Sequence, residues 1–450
     1  MAAKKNSHIL KNVSGFPEFS PEAQILFNQV VNTIREAYEA CGAVPIETSA
    51  IERTEHILAK GGNDKEIYGL HRLQDSEGGS KDYALHFDLT LPLARYVAQN
   101  GHRLVFPFKR YQIQPVWRGE RAQNKRYRQF YQCDIDVIGD GKLSLLYDAE
   151  IPGIIYQIFS ALQIGDFIIR INNRKVLKGI LNHFGIKGDD NELAAINIID
   201  DLEKVGLDDV SQRLAAMGAD SAALAGIVEF FDLDGSTQDV LNKLQSLDYG
   251  ELFKEGVTEL TTVCSAIADF GVPEQVFKID LKIARGLDYY TGTVYETQLV
   301  ANPSIGSICS GGRYENLAEN FSKRAYPGVG ISIGLSRLFG ELIEKQILNV
   351  GPQSIAPVLV TVLDQSCMSR YLEITAQLRE AGIKTEIYLE PKKLKNQLAH
   401  ADKKGIKVAL IAGETEFDKD EVQVKDLINQ TQESVAADQL VPYIKALLAA

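Results

Sequence analysis

The sequence offers no run of the roughly 18 apolar residues that a membrane-spanning helix needs, so no span is expected. Cysteine is scarce: five residues, at 41, 133, 264, 309 and 367, odd in number and without paired spacing. That argues against a disulfide framework or a zinc site and fits a reduced, cytoplasmic compartment. The seven histidines are equally dispersed, and none forms an HxxxH-type ligand pair. The opening MAAKKNSHILKN has two lysines but no apolar segment behind them, so a secretory leader is not expected. Basic residues are outnumbered, 48 Lys and Arg against 60 Asp and Glu. The resulting net charge of −12 argues against an indiscriminate grip on nucleic acid. Two stretches run against that balance, 118–128 with five Arg/Lys and 392–407 with six; each reads either as a solvated face or as a local contact for RNA.

A chain of 450 residues exceeds one ordinary core, so two or three domains are expected. The spacing predicts a helix over 21–41, with Ser20 as N-cap, Pro21 at the first position and Gly42 after its end. Its apolar stripe (Ile25, Val30, Ile34, Ala37, Tyr38) packs on its own core or on a twin subunit. A short extended segment, VPIETSAIE, follows. Residues 83–99, YALHFDLTLPLARYVAQ, read as a strand, a break at Pro92 and a helix. Asp88 and Thr90 alternate onto one face, where Asp88 is either a helix cap or a carboxylate held for an ammonium group.

The chain is organised around 108–139, which predicts strands over roughly 110–120 and 127–138 joined by a short cationic loop. Alternation puts Tyr131, Cys133, Ile135 and Val137 on one face and Arg128, Phe130, Gln132, Asp134 and Asp136 on the other. Gln112, Gln114, Arg118 and Glu120 have matching parity. Such a face is either the wet side of an antiparallel sheet or the floor of a pocket for a zwitterion and a phosphate. A helix is expected over 143–162, and short amphipathic helices fill 172–273. Beyond them, 284–300 reads as a turn and strand, SGGRYENL (310–317) as a Gly-Gly turn feeding a helix, and 326–346 as a small-residue strand and helix. Arg337 stands off that last helix's apolar stripe, either as surface charge or beside a flat ligand that the glycines admit. After Gly351, Pro352 and Pro357 comes an alternating αβ unit, which implies a partly parallel sheet. It has neither GxGxxG nor GxxxxGK[ST], so no dinucleotide or P-loop site is supported there.

Four segments together resemble the class II aminoacyl-tRNA synthetases, and specifically the histidyl-tRNA synthetase family: FDLT (87–90), VWRGERAQNKRYRQFYQCDIDVIG (116–139), RGLDYYTGTVYE (285–296) and GVGISIGLSRL (328–338). The resemblance implies an α/β chain: an α+β catalytic domain with a class II antiparallel sheet flanked by helices, a helical insertion and a C-terminal α/β anticodon-binding domain. Expected bounds are 1–172 and 274–348 for the catalytic parts, 173–273 for the insertion and 357–450 for the anticodon domain. The implied activity is histidine–tRNA ligation with ATP and Mg²⁺, by a cytoplasmic homodimer acting on L-histidine and tRNA(His) without a membrane.

On this resemblance Arg118 and Arg285 are the catalytic cations at the ATP α-phosphate, and Arg118, Glu120, Arg126 and Arg337 contact ATP, Glu120 also being the candidate Mg²⁺ ligand. Asp88, Thr90 and Gln132 are expected at the α-ammonium, Arg285 also at the amino acid, and Asp136, Tyr289, Tyr290 and Tyr314 around the imidazole. Three departures stand out. Ser49 replaces the usual motif 1 proline, with Pro45 four residues earlier; Ser336 precedes Arg337 where a glutamate is usual; FDLT replaces the PEGT form of many bacterial enzymes. Two rivals share the fold: a silent paralogue of the kind that regulates ATP phosphoribosyltransferase, and a non-enzymatic RNA-binding module. The C-terminal αβ unit and the three arginines weigh against the first, and the lack of any appended domain against the second.

Overall fold

The computed structural model describes residues 10–58, 66–74, 82–121, 127–284, 290–315 and 318–449. The chain divides into two units, 1–17 with 30–348, and 18–29 with 349–450. The described strands of the larger unit are β1 (Val44–Pro45), β2 (Ile51–Arg53), β3 (Gly69–Leu70), β4 (Tyr83–Leu85), β5 (Phe108–Trp117), β6 (Gln129–Ile138), β7 (Phe167–Asn173), β8 (Phe277–Ile279), β9 (Thr293–Leu299), β10 (Cys309–Tyr314) and β11 (Gly328–Gly334). Helices α1 (Pro21–Ala40), α2 (Thr54–Leu58), α3 (Thr90–Asn100) and α4 (Leu146–Leu162) precede seven described helices from α5 (Arg174–His183) to α11 (Glu251–Ile267); α12 (Leu335–Glu344) follows β11.

Eight strands form one sheet in the order β1-β5-β6-β11-β10-β9-β7-β8. Its inner neighbours pair antiparallel, and only the short edge strands β1 and β8 pair parallel. A mixed sheet flanked by helices, with a second α/β domain behind it in sequence, is therefore the fold. One face of the β5–β6–β11 centre is apolar: Tyr111, Cys133, Ile135, Val137, Val329, Ile331 and Ile333 are buried there. Tyr38, in the part of α1 that belongs to this unit (30–40), is buried and donates from its hydroxyl to the Cys133 carbonyl at 2.9 Å, so that part of α1 packs on the unit's own core.

The smaller unit holds β12 (Val358–Val360), α13 (Met368–Glu380), β13 (Thr385–Ile387), α14 (Leu394–Lys404), β14 (Val408–Ile411), α15 (Glu414–Asp418), β15 (Glu421–Asp426), β16 (Thr431–Ala436) and α16 (Leu440–Ala449). Its sheet runs β13-β12-β14-β15-β16, parallel across the first three strands and antiparallel beyond. Gln397 fastens α14 to the segment that follows β12, accepting from Val362 N at 2.9 Å and donating to Val362 O at 2.6 Å.

Several local expectations are corrected. SGGRYENL is not a turn at its glycines: Gly311 and Gly312 lie inside β10, paired on both sides, because the absence of Cβ admits close backbone and ring neighbours there. Pro92 does not break the chain but sits in the first turn of α3, where a missing N–H costs nothing. Strands β5 and β6 end and begin two or three residues inside the expected bounds, so Arg118 and Glu120 stand beyond the ladder. Strand β16 escapes a pattern search because only Val435 of its six residues is buried.

Alternation along β10 sends Arg313 to the side opposite Tyr314, where it meets Asp148 of α4. Arg313 Nε donates to both Asp148 oxygens at 3.1 Å and Nη2 donates to Oδ2 at 2.8 Å and to the Ser144 carbonyl at 3.0 Å. Tyr295 adds a bond to the Asp148 carbonyl at 2.7 Å. Both charges are buried, so removing one leaves the other uncompensated. Asp148→Ala is expected to lower unfolding free energy by about 3–5 kcal/mol, measured by denaturant titration; a loss below about 1 kcal/mol would place the pair in a surface-like environment.

Candidate active site

Cross-strand register assembles the polar floor of the central sheet in three rows. Arg110 of β5 stands opposite Asp136 of β6, which stands opposite Gly330 of β11 and, beyond it, Gly312 of β10. The second row is Gln112, Asp134, Ser332 and Ser310, and the third Gln114, Gln132 and Gly334. This face is not the wet side of the sheet: Arg110 is 0% exposed, Asp134 2% and Gln132 8%. A cavity of about 390 Å³ opens on it, lined by Asp88, Thr90, Arg118, Glu120, Tyr127, Phe130, Gln132, Asp134, Asp136, Tyr290, Tyr314, Ser332 and Arg337, among others. Nine of the twelve expected site residues therefore meet in one hollow: Asp88, Thr90, Arg118, Glu120, Gln132, Asp136, Tyr290, Tyr314 and Arg337. The other three, Arg126, Arg285 and Tyr289, lie outside the described residues.

The deepest charge is a pair. Arg110 Nη2 lies 2.6 Å from Asp136 Oδ2, and Tyr314 donates from its hydroxyl to Asp136 Oδ1 at 3.1 Å. Gly330 makes room for this carboxylate, since a Cβ there would strike Asp136 Oδ1. Gly328 likewise admits the Tyr314 ring, which would lie 2.5 Å from an added Cβ at its Cζ. Asp88 does both things its position suggests: Oδ1 accepts from Leu91 N at 3.1 Å, capping α3, while the residue lines the cavity. Its second oxygen, Gln132 Oε1 and Asp134 Oδ1 are buried without a hydrogen-bond partner among the described residues.

Burial dominates the acid strengths here. It pushes Asp88 up to about 6, against the opposing pull of the Leu91 amide and Arg118. Asp134 is pushed up to about 7 by burial, with Arg110 opposing and Asp136 adding to the rise. Asp136 is also raised by burial, with Arg110 and Tyr314 pulling it back. The floor thus carries three acids and one fully buried guanidinium, an arrangement that favours a cationic ligand.

The rim has the opposite sign. Arg118 is half-buried, donates from Nε to the Phe87 carbonyl at 3.0 Å, and holds its guanidinium carbon 5.1 Å from the Phe130 ring centre. Arg337, exposed at the start of α12, donates from Nη2 to the Ile305 carbonyl at 2.9 Å. Ser336 does not join it in the cavity: it is buried and accepts from Tyr131 N at 2.9 Å, which accounts for the small residue before Arg337. Among the described residues no group of three or more His, Cys, Asp or Glu is placed to hold a metal on its own. A magnesium ion that binds through one carboxylate and substrate phosphates needs no such group, and Glu120 on the cavity wall beside Arg118 fits that mode.

Two residues of this floor, Arg110 and Asp134, have no assigned role in the sequence reading. Strand parity is the available signal, since Arg110 is in phase with Gln112 and Gln114, and Asp134 lies between Gln132 and Asp136.

A family model described as histidyl-tRNA synthetase matches residues 15–338, and one described as an anticodon binding domain matches 355–447. The histidine–tRNA ligase of Nostoc sp. strain PCC 7120 is 46% identical over 99% of this chain and 100% of its own. That of Clostridium tetani is 45% identical over 96% and 97%. A crystal structure of histidyl-tRNA synthetase from Nostoc sp. PCC 7120 superposes with a TM-score of 0.89 at 45% identity, covering 97% of this chain and 99% of that one. With its polar sheet floor and two-part matched length, the chain belongs to the histidyl-tRNA synthetase family.

Proposed function

We propose that the chain joins L-histidine to tRNA(His) in two steps, first forming histidyl-adenylate and pyrophosphate from ATP, then passing histidine to the tRNA 3′ end. The observation that carries this reading is the polarity of one cavity, acidic at its floor and cationic at its rim. A zwitterion placed there has its ammonium at Asp88, Thr90 and Gln132 and its carboxylate toward Arg118. The imidazole lies among Asp136, Tyr290 and Tyr314, with Tyr289 assigned to the same group. An acceptor and phenols read its two nitrogens, and polar groups left unpaired by other side chains reject them without an editing domain.

ATP is bound at the rim. Phe130 offers a flat face for the base, and Arg337 a planar fork for the triphosphate, with Arg126 assigned as a further contact. As the histidine carboxylate attacks the α-phosphorus, Arg118 stands where negative charge builds, and Arg285 is assigned to the same phosphate. Mg²⁺ held through Glu120 would neutralise phosphate charge. In the second step an adenylate phosphate oxygen accepts the proton of the tRNA hydroxyl, so no side-chain base is needed.

Segments 1–172 and 274–348 are assigned to the catalytic body, 173–273 to an insertion and 357–450 to anticodon binding. Exposed Lys392, Lys393, Lys395, Lys403 and Lys407 supply a basic surface suited to unpaired anticodon bases. A homodimer is supported by apolar side chains left exposed on β1, β2, α2 and β4, namely Val44, Ile51, Leu58 and Tyr83. No described helix is long and apolar enough to cross a membrane. The five cysteines are free, which supports a cytoplasmic enzyme.

ATP–pyrophosphate exchange tested with all twenty amino acids is expected with histidine alone; folded protein giving no exchange would favour the regulatory paralogue. Arg118→Ala should slow exchange about 100- to 1,000-fold with a smaller change in histidine affinity; equal losses in both would move Arg118 from the phosphorus to the amino acid. The acids also set a pH signature. Asp88, at about 6 when folded against its ordinary 3.8, binds more protons in the folded state, so its contribution to stability is present below pH 4 and lost as pH rises through 6. The ligand-free Asp88→Asn variant should therefore unfold at a higher temperature than wild type at pH 8 and at an equal one near pH 4; thermal melts across pH decide it.

A further inference from the structure

We infer that Asp134 is a further anchor of the substrate's α-ammonium, standing with Asp88, Thr90 and Gln132; the inference rests on the histidine-site reading above. An ammonium group carries three N–H donors and no acceptor. Among the residues lining the cavity, three buried oxygens lack a partner in the described structure: Asp88 Oδ2, Gln132 Oε1 and Asp134 Oδ1. All three are acceptors, the kind of partner an ammonium needs, and an unpaired buried acceptor is costly until a donor arrives.

Hydrogen-bond direction supports the same assignment. Gln132 Nε2 donates to Ser332 Oγ at 2.9 Å, which turns the amide so that its oxygen is the free end. Ser332 is also the cross-strand neighbour of Asp134, and because its oxygen accepts from Gln132 its own proton is free to turn toward that carboxylate, which favours the ionised form of Asp134. Ser332 thus orients the Gln132 acceptor and stands beside the Asp134 one. Asp136, two residues along β6, differs in that each of its oxygens already has a partner, Arg110 on one and Tyr314 on the other.

The groups facing Asp134 explain why it wants a cation. Arg110 comes from β5, Asp136 from β6 itself, Asp88 from the segment before α3, and the neutral Cys309 thiol from β10. Arg110 is committed to Asp136 and Gln112. Asp134 is therefore held partly protonated near neutral pH, and an arriving ammonium displaces that proton.

Calorimetric titration of the full chain with three ligands tests the assignment: L-histidine, histamine, which keeps the ammonium but lacks the carboxylate, and 3-(imidazol-4-yl)propionate, which lacks the ammonium. Asp134→Asn, with the same shape, should weaken histidine and histamine alike by about 10- to 100-fold and leave the amine-free acid unchanged. Titration at pH 6.5 in two buffers of different ionisation enthalpy should show proton release on histidine binding to wild type and less to the variant. Ser332→Ala, which releases the Gln132 amide without touching the charge, should weaken histamine and again spare the amine-free acid. If wild type binds histidine but both variants bind it equally well, or lose all three ligands by one factor, Asp134 is no ammonium anchor. If wild type itself fails to bind histidine, the pocket reading falls, and the anchor falls with it.

Discussion

One buried guanidinium serves three buried carboxylates, and the site follows from that imbalance. Arg110 is fully enclosed and paired to Asp136 at 2.6 Å, while Asp88 and Asp134 line the same cavity without that pairing and with raised proton affinities. A protein interior holds such charge only when geometry over-determines it. Here the register does so: Arg110, Asp136 and Gly330 fall in one row, and the missing Cβ of Gly330 is the space the carboxylate occupies. The floor is in this sense a prepared deficit of positive charge.

The rim is built on different backbone. Arg118 stands just past the end of β5 and Arg337 at the start of α12, so these cations stand on segment ends while the acids of β6 stand mid-strand. In the proposed function, opposite signs on rigid and terminal segments orient a zwitterion with its ammonium down and carboxylate up. On this account, orientation is what brings the carboxylate of histidine to the nucleotide, and the chain's contribution to the first step is positioning plus charge stabilisation.

Much of this is legible in the sequence, for reasons that differ by residue. Period-two alternation separates Cys133, Ile135 and Val137 from Gln132, Asp134 and Asp136, and that division is the one the sheet makes. What alternation cannot say is whether the polar face meets water, because the segment carrying Asp88 and α3 is remote in sequence. From sequence, Asp88 is a choice between cap and ligand; two carboxylate oxygens allow both. Arg110 escapes notice because an arginine one turn of the pleat from Gln112 looks like surface charge until its cross-strand partner is known. The glycines of β10 mislead for a related reason: Gly-Gly marks turns locally, while the demand met here, room for Tyr290 and a neighbouring strand, is tertiary.

The most direct test is a crystal structure with a non-hydrolysable histidyl-adenylate analogue bound. The account predicts the ammonium within hydrogen-bonding distance of Asp88 and Gln132, the imidazole against Asp136 and Tyr314, and the phosphate mimic beside Arg118. An analogue bound with its ammonium at the rim, or in a different hollow, would contradict it.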